Sequence, residues 1–148
     1  MEIRPIRRDE VPLALPLFAG YQRFYEVEDP NDEANLAFFS RFCDPSEEGL
    51  LLGAWEGDDL VGFANIYWTF SSTAARDIGL MNDLFVSDRA RRQGVGRALI
   101  DACAEAARAR GCASLDWETA PDNRTAQRVY DATGASRSEW VAYSIPLT

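Results

Sequence analysis

The chain has no histidine, and all 15 of its basic residues are arginine, so lysine is missing as well. These two gaps exclude much chemistry. Without histidine there is no Ser-His-Asp triad, no Cys-His pair and no HExxH zinc site. Without lysine there is no Walker A lysine, no kinase strand lysine and no Schiff-base lysine. Any phosphate this chain holds must be held by backbone N–H groups and arginine. Its three cysteines, Cys43, Cys103 and Cys112, are odd in number and lack metal-ligand spacing, which points to a reducing, cytoplasmic setting with no metal. No apolar run reaches the ~18 residues of a membrane span, and the start, Met1-Glu2-Ile3-Arg4-Pro5, has no apolar signal core.

The 148 residues fit one domain with one core, and their net charge of −9 is unevenly placed. Residues 1–59 hold 14 acids and 5 arginines, whereas residues 60–148 hold 10 of each. Glu26, Glu28, Asp29, Asp32 and Glu33 cluster in the acidic half. Such a field concentrates cations and disfavours nucleic acid.

Against this background one stretch stands out. Arg91-Arg92-Gln93-Gly94-Val95-Gly96 follows an apolar strand, Leu80 to Val86, and leads into an alanine-rich helix, Arg97 to Arg110. A glycine-interrupted turn from strand to helix presents backbone N–H groups at the positive end of the helix dipole. Glycine lets a ligand approach the backbone closely. With Arg89, Arg91, Arg92 and Arg97 beside it, the loop suits a diphosphate. A dinucleotide fingerprint does not fit, because Leu99 stands where a third glycine is needed.

Periodicity predicts the remaining elements. Strands are expected over 2–6, 50–55, 60–69, 78–86, 113–119 and 140–147. Asp9 would cap a helix over 10–25, which Pro16 should kink or restart. Gln22 is the one polar residue on that helix's apolar face. A second helix over 32–42 would turn Leu36, Phe39 and Phe42 inward, and a last helix runs over 124–133 behind Asn123. The order β-α-α-β-β-β-α-β-α-β gives a mixed α/β (α+β) fold, with meander strands first and a crossover later.

This order and two sequence blocks resemble the GNAT-type N-acetyltransferase family. The first block is Asn82-Asp83-Leu84-Phe85-Val86 followed by Arg91-x-x-Gly94-x-Gly96. The second is Trp117-x-Thr119, Asn123-x-x-Ala126-x-x-x-Tyr130 and Gly134. Arg92 departs from the glycine common after the loop arginine. Within the family the chain is similar to small amine acetyltransferases of the diamine and yeast histone/polyamine type. The resemblance implies a central sheet of about six or seven strands with strands 4 and 5 splayed, one domain over 1–148, and a homodimer built through the last strand.

It also implies acetyl transfer from acetyl-CoA to a primary amine by direct attack in a ternary complex. The cofactor would lie on Leu84, Phe85 and Val86, on Arg91, Arg92, Gln93, Gly94, Val95, Gly96 and Arg97, and on Asn123 and Tyr130. Tyr130 would protonate the departing thiolate. The base is Asp83, with Glu118 or a chain of waters as alternatives; Asn82 stands where the diamine subgroup commonly has an acid. Strand alternation would set Asn82 and Asp83 on opposite faces unless a bulge intervenes. Tyr21, Tyr25, Glu26, Glu28 and Trp68, with Asn82 and Glu118, would receive the acceptor. Carboxylates and aromatic faces suit an ammonium, so a polyamine, a basic peptide or an amino-sugar is expected. The competing reading is a non-catalytic module that senses acyl-CoA.

Overall fold

The structure, a computed structural model, describes residues 1–148. They form two compact units, Met1–Glu118 and Thr119–Thr148. The first holds a five-stranded sheet in the order β1 (Glu2–Pro5), β2 (Gly49–Glu56), β3 (Asp59–Ser71), β4 (Arg76–Val86) and β5 (Leu115–Asp116). Neighbours from β1 to β4 are antiparallel, and β5 lies parallel to β4 after the crossover through α3 (Val95–Ala109). Gly57, at a left-handed φ of 61°, turns β2 into β3. Helices α1 (Val11–Phe24) and α2 (Asp32–Ser40) lie between β1 and β2 in the chain.

Alternation along β3 decides which helix each residue meets. Phe63 faces α1, edge-on to Phe18 at 4.9 Å and to Tyr21 at 5.9 Å between ring centroids. Gly62, one residue earlier, lies under Val95 and Leu99 of α3. The sheet is therefore apolar on both faces. Ile6, Val11, Phe18, Phe39, Leu51 and Phe63 build the α1–α2 layer, and Val95, Leu99 and Cys103 are fully buried along α3.

Pro16 does not interrupt α1, which runs unbroken with Leu17, Phe18 and Ala19 buried just beyond it. A proline removes one ladder donor and crowds the carbonyl four residues back, here that of Pro12 in the first turn; burial of the next turn outweighs this. Asp9 is not the cap. A 3-10 turn over Arg8–Glu10 precedes α1, and Glu10 is gripped by both Arg4 terminal nitrogens at 2.9 Å and by the Arg7 N–H at 3.0 Å. In α2, Asn31 caps the helix and Phe39 points inward, but Leu36 is exposed and Asn35 is buried in its place. Gln22 and Asn35 explain each other: their amides exchange two hydrogen bonds, at 2.8 and 2.9 Å, across the α1–α2 interface.

Two expected strands change. β5 has two residues rather than seven: its pairing with β4 ends just before β4 bulges, and residues 117–119 form no strand. Residues 135–148 form neither strand nor helix, and Trp140, Val141, Tyr143, Ile145 and Leu147 are exposed. Their alternation encodes a strand that needs a partner, and the unit Thr119–Thr148 contains no other strand. That unit carries α4 (Arg124–Asp131), and Arg137 binds Asp131 through two bonds of 2.9 and 2.7 Å.

The amide pair gives a direct test. Asn35→Ala strands the Gln22 amide at the interface and should cost about 1–2 kcal/mol in urea unfolding. Gln22→Leu combined with Asn35→Leu should cost less than the two single leucine changes summed, since neither then leaves a buried polar group alone.

Candidate active site

The site begins with a miscount in the β3–β4 ladder. Ile66 pairs with Met81 and Asn65 pairs with Asp83, so Asn82 is an extra residue. This bulge resets the alternation: Leu80, opposite Tyr67, and Asp83, opposite Asn65, both face the α1–α2 layer. Asp83 is only 4% exposed. Because of the bulge Asn82 is not cut off from Asp83. Its Nδ2 donates to Asp83 Oδ1 at 3.1 Å and to Tyr67 Oη at 3.1 Å, while its own carbonyl accepts from Tyr21 Oη at 3.3 Å.

Burial is the main influence on Asp83 and raises its pKa above the ordinary carboxylate value, although hydrogen bonding from Tyr21 and Asn82 favours the ionised form. The tyrosines respond in kind. Desolvation, then the nearby Asp83 charge, raise Tyr21 and Tyr25 and push Tyr67 up to about 12. All three hydroxyls keep their protons at neutral pH. The result is a carboxyl set among aromatic faces, Tyr21 lying 5.0 Å from Tyr25 and Tyr67 stacked 5.5 Å from Phe42 between centroids.

β5 abandons β4 at the same level. Their pairing ends at Leu80↔Asp116, so from Met81 to Val86 that edge of β4 has no strand beside it. In a splayed edge of this kind, backbone groups are free to bind an acyl or peptide-like arm. Leu84 and Val86 turn toward the α3 face, while Phe85 turns toward α1, with its ring 3.1 Å from the position a Cβ on Gly20 would take.

The loop after β4 fits a diphosphate. α3 starts at Val95, earlier than the sequence pattern suggests, so Val95, Gly96 and Arg97 contribute the N–H groups of its first turn. Gly94 caps the helix at a left-handed φ of 79° with no side-chain cap bond. A Cβ on Gly94 would meet nothing within 4 Å, and one on Gly96 only Val86 at 3.9 Å, so the space over the turn is open. Arg92 also holds a left-handed φ, 64°, a strained state for a residue with a Cβ. The arginines divide their work. Arg91 folds back, its Nε donating to the Val86 carbonyl at 3.1 Å, its Nη1 pairing with Asp88 at 2.8 Å and its guanidinium 5.6 Å from the Phe85 ring centre. Arg97 pairs with Asp101 at 3.0 Å and Arg89 with Asp59 at 3.6 Å. Arg92 and Gln93 lie exposed at the tip.

Other expected residues fall elsewhere. Trp68 does not join Tyr21 and Tyr25: it sits on the opposite face of the sheet, 4.9 Å from the Arg110 guanidinium. The reason is parity, since Trp68 is one residue beyond Tyr67. Glu118 is exposed beyond the end of β5 rather than on a strand beside β4. Glu26, at a left-handed φ of 68°, and Glu28 are exposed just past α1. In the second unit the Asn123 side chain caps α4 by accepting from the Ala126 N–H at 3.2 Å, and Tyr130 is half-buried on that helix. A cavity of about 460 Å³ lies by Leu13, Leu17, Leu60, Phe85 and Arg89, and Asp83 is not part of its lining. Sequence reasoning missed Tyr67 and Asn65. The signal for Asn65 was present, a lone amide in the apolar run of β3.

The raised Asp83 pKa has a sign that can be checked. The folded state holds this proton more tightly than the unfolded chain, so stability falls as pH rises from the ordinary Asp value toward the folded one. Asp83→Asn removes that loss. The variant should be more stable than the parent at pH 7, and the gap should close as pH drops below about 4, where both forms of the parent are protonated. Chemical denaturation at several pH values reads this out.

Residues 15–135 match the Acetyltransferase (GNAT) family. An N-acetyltransferase of Bacillus subtilis, YhfO, is 32% identical over 134 residues, 90% of this chain and 89% of that protein. The D-amino-acid N-acetyltransferase HPA3 of Saccharomyces cerevisiae is 35% identical over 116 residues, 77% of this chain and 71% of that protein. The crystal structure of a probable acetyltransferase superposes with a TM-score of 0.87 at 27% identity, covering 100% of this chain and 99% of that one. With its splayed β4 edge and open glycine turn, the chain belongs to the GNAT acetyltransferase family and is an acyltransferase enzyme.

Proposed function

We propose that this enzyme moves an acetyl group from acetyl-CoA to a cationic primary amine by direct attack in a ternary complex. The observation that carries this reading is Asp83, a carboxyl 4% exposed, set among Tyr21, Tyr25 and Tyr67 at the level where β5 leaves β4. The acetyl-CoA diphosphate would bind the first-turn N–H groups of α3 beneath Gly94 and Gly96, with Arg92 and Gln93 at its edge. The thioester arm would run along the open edge from Leu84 to Val86.

An ammonium is not a nucleophile. Asp83 takes its proton, the freed amine adds to the thioester carbonyl, the C–S bond breaks to release CoA thiolate, and the new amide nitrogen gives up its second proton to water. Tyr130 supplies the proton for that thiolate; this role rests on the Asn123–Tyr130 motif. Water then restores both side chains. A carboxyl whose pKa is raised by burial is a better-matched base at neutral pH than an exposed aspartate.

The acceptor would enter past Tyr21 and Tyr25, with Glu26 and Glu28 at the mouth and Asn82 on the floor. Aromatic faces, a buried carboxyl and an acidic amino-terminal half favour a cation over an anion. Polyamines, basic peptides and amino-sugars remain the proposed classes, within a diamine-like subgroup. Amines of amino acids join them, because one relative is named for D-amino acids and a second, from Bos taurus, for thialysine. The latter is 34% identical over 56% of this chain and 48% of that protein. We take residues 1–148 as one functional domain, since the family match runs across residue 118. Exposed Trp140, Val141, Tyr143, Ile145 and Leu147 support a homodimer, and three free thiols support a cytoplasmic site of action.

Release of free CoA, followed with a thiol reagent across these amine classes, is the direct test. Turnover is expected with a cationic amine, falling about 10²-fold in Tyr130→Phe and about 10²–10⁴-fold in Asp83→Asn. Acetyl-CoA binding without turnover on any amine would overturn the reading in favour of a sensor. Calorimetry tests the loop separately: Gly94→Val places a β-branched residue at a left-handed φ and should weaken acetyl-CoA binding by about tenfold or more.

A further inference from the structure

Asn65 is 0% exposed, deeper than any other polar side chain of the molecule, and it is the cross-strand partner of Asp83. Its Nδ2 donates to the Leu50 carbonyl of β2 at 3.2 Å. That bond fixes the amide orientation, because the reverse placement would set two acceptors against each other. The arms of an amide diverge, so Oδ1 is carried away from β2, and β4 is the strand on the other side of β3. Asn65 Oδ1 is buried and has no hydrogen-bond partner. An orphaned buried acceptor is costly, and nothing in the apolar packing explains it.

Asp83 supplies a reason. Paired residues of an antiparallel ladder project to the same face with Cβ atoms about 5 Å apart, within reach directly or through one water. Ionised, Asp83 has only acceptors and is served by a donor, Asn82 Nδ2 at 3.1 Å. Protonated, it becomes a donor, and the acceptor that needs one is Asn65 Oδ1. The titratable groups that face it are Tyr21 and Tyr25 of α1 and Tyr67 of β3, all hydroxyls that keep their protons.

We infer that Asn65 is a positioning residue for Asp83, whose Oδ1 accepts from the protonated carboxyl while Asn82 Nδ2 serves the ionised one. The carboxyl is thereby held in one place through both halves of a proton-transfer cycle. The inference deepens the reading of Asp83 as the base and rests on it.

The two amides therefore act in opposite directions. Asn65→Leu removes the partner of the protonated form, and the acidic limb of the kcat/KM–pH profile should move down by somewhat under one pH unit, the size of one neutral hydrogen bond. Asn82→Ala removes a donor to the ionised form, and the limb should move up by a similar amount or more. A merely structural role would lower activity at all pH values without moving the limb. The pH dependence of unfolding stability gives a second readout that needs no turnover: it should shrink in Asn65→Leu and grow in Asn82→Ala. Asn65→Val serves if the leucine variant does not fold. Opposite displacements support the inference; an unmoved limb in the Asn65 variant, or displacement of both in one direction, overturns it. A parent enzyme with no acidic limb would defeat the reading of Asp83 as base, and the stability series would still decide whether Asn65 holds its proton.

Discussion

Everything at this site depends on keeping one carboxyl out of water. Asp83 lies in the α1–α2 face of the sheet because the bulge at Asn82 breaks the period of two in β4. Were Asn82 to take a regular place in the ladder, the chain beyond it would turn over, sending Asp83 and Phe85 toward α3 and Leu84 toward α1. The same kink separates β4 from the short β5 and leaves an open strand edge beside the carboxyl. One local irregularity thus places a buried acid and a free backbone edge at the same level of the sheet.

Burial alone would leave Asp83 neutral and inert. Hydrogen bonding to its ionised form from Tyr21 and Asn82 offsets part of that desolvation, so the carboxyl can both hold and release a proton. The phosphate end of the site solves a different problem with fewer means. A chain without lysine relies on helix N–H groups and on two glycines that keep the approach open, while Arg91 is spent tying the turn to Val86 and Asp88. The strained φ of Arg92 shows how closely that turn is determined by its surroundings.

The features most legible in the sequence were those encoded locally. The glycine turn, α3, the β2–β3 hairpin and the cap Asn123 follow from residue type and spacing. The two-faced sheet also followed from order alone, although it has five strands rather than six or seven. What escaped was non-local. Gln22 looked misplaced on an apolar face until Asn35 came to meet it from another helix. Trp68 is as aromatic as Tyr67, and only the parity of β3 separates a wall of the site from the opposite face. The alternation over 140–147 describes a preference for pairing but cannot supply the partner. Asn65 was visible as a polar break in β3, yet its meaning needed the register that sets it opposite Asp83.

The central claim, that the fold holds Asp83 as a proton-accepting carboxyl, is most directly tested by titrating its side-chain carbon by ¹³C NMR in the free enzyme, with Asp83→Asn to assign the signal. An apparent pKa clearly above the ordinary aspartate value of about 3.9 is the result this structure predicts. A value at or below it would mean that the tyrosines and Asn82 merely fix a permanent anion, and Asp83 would then be a binding group for the amine rather than its base.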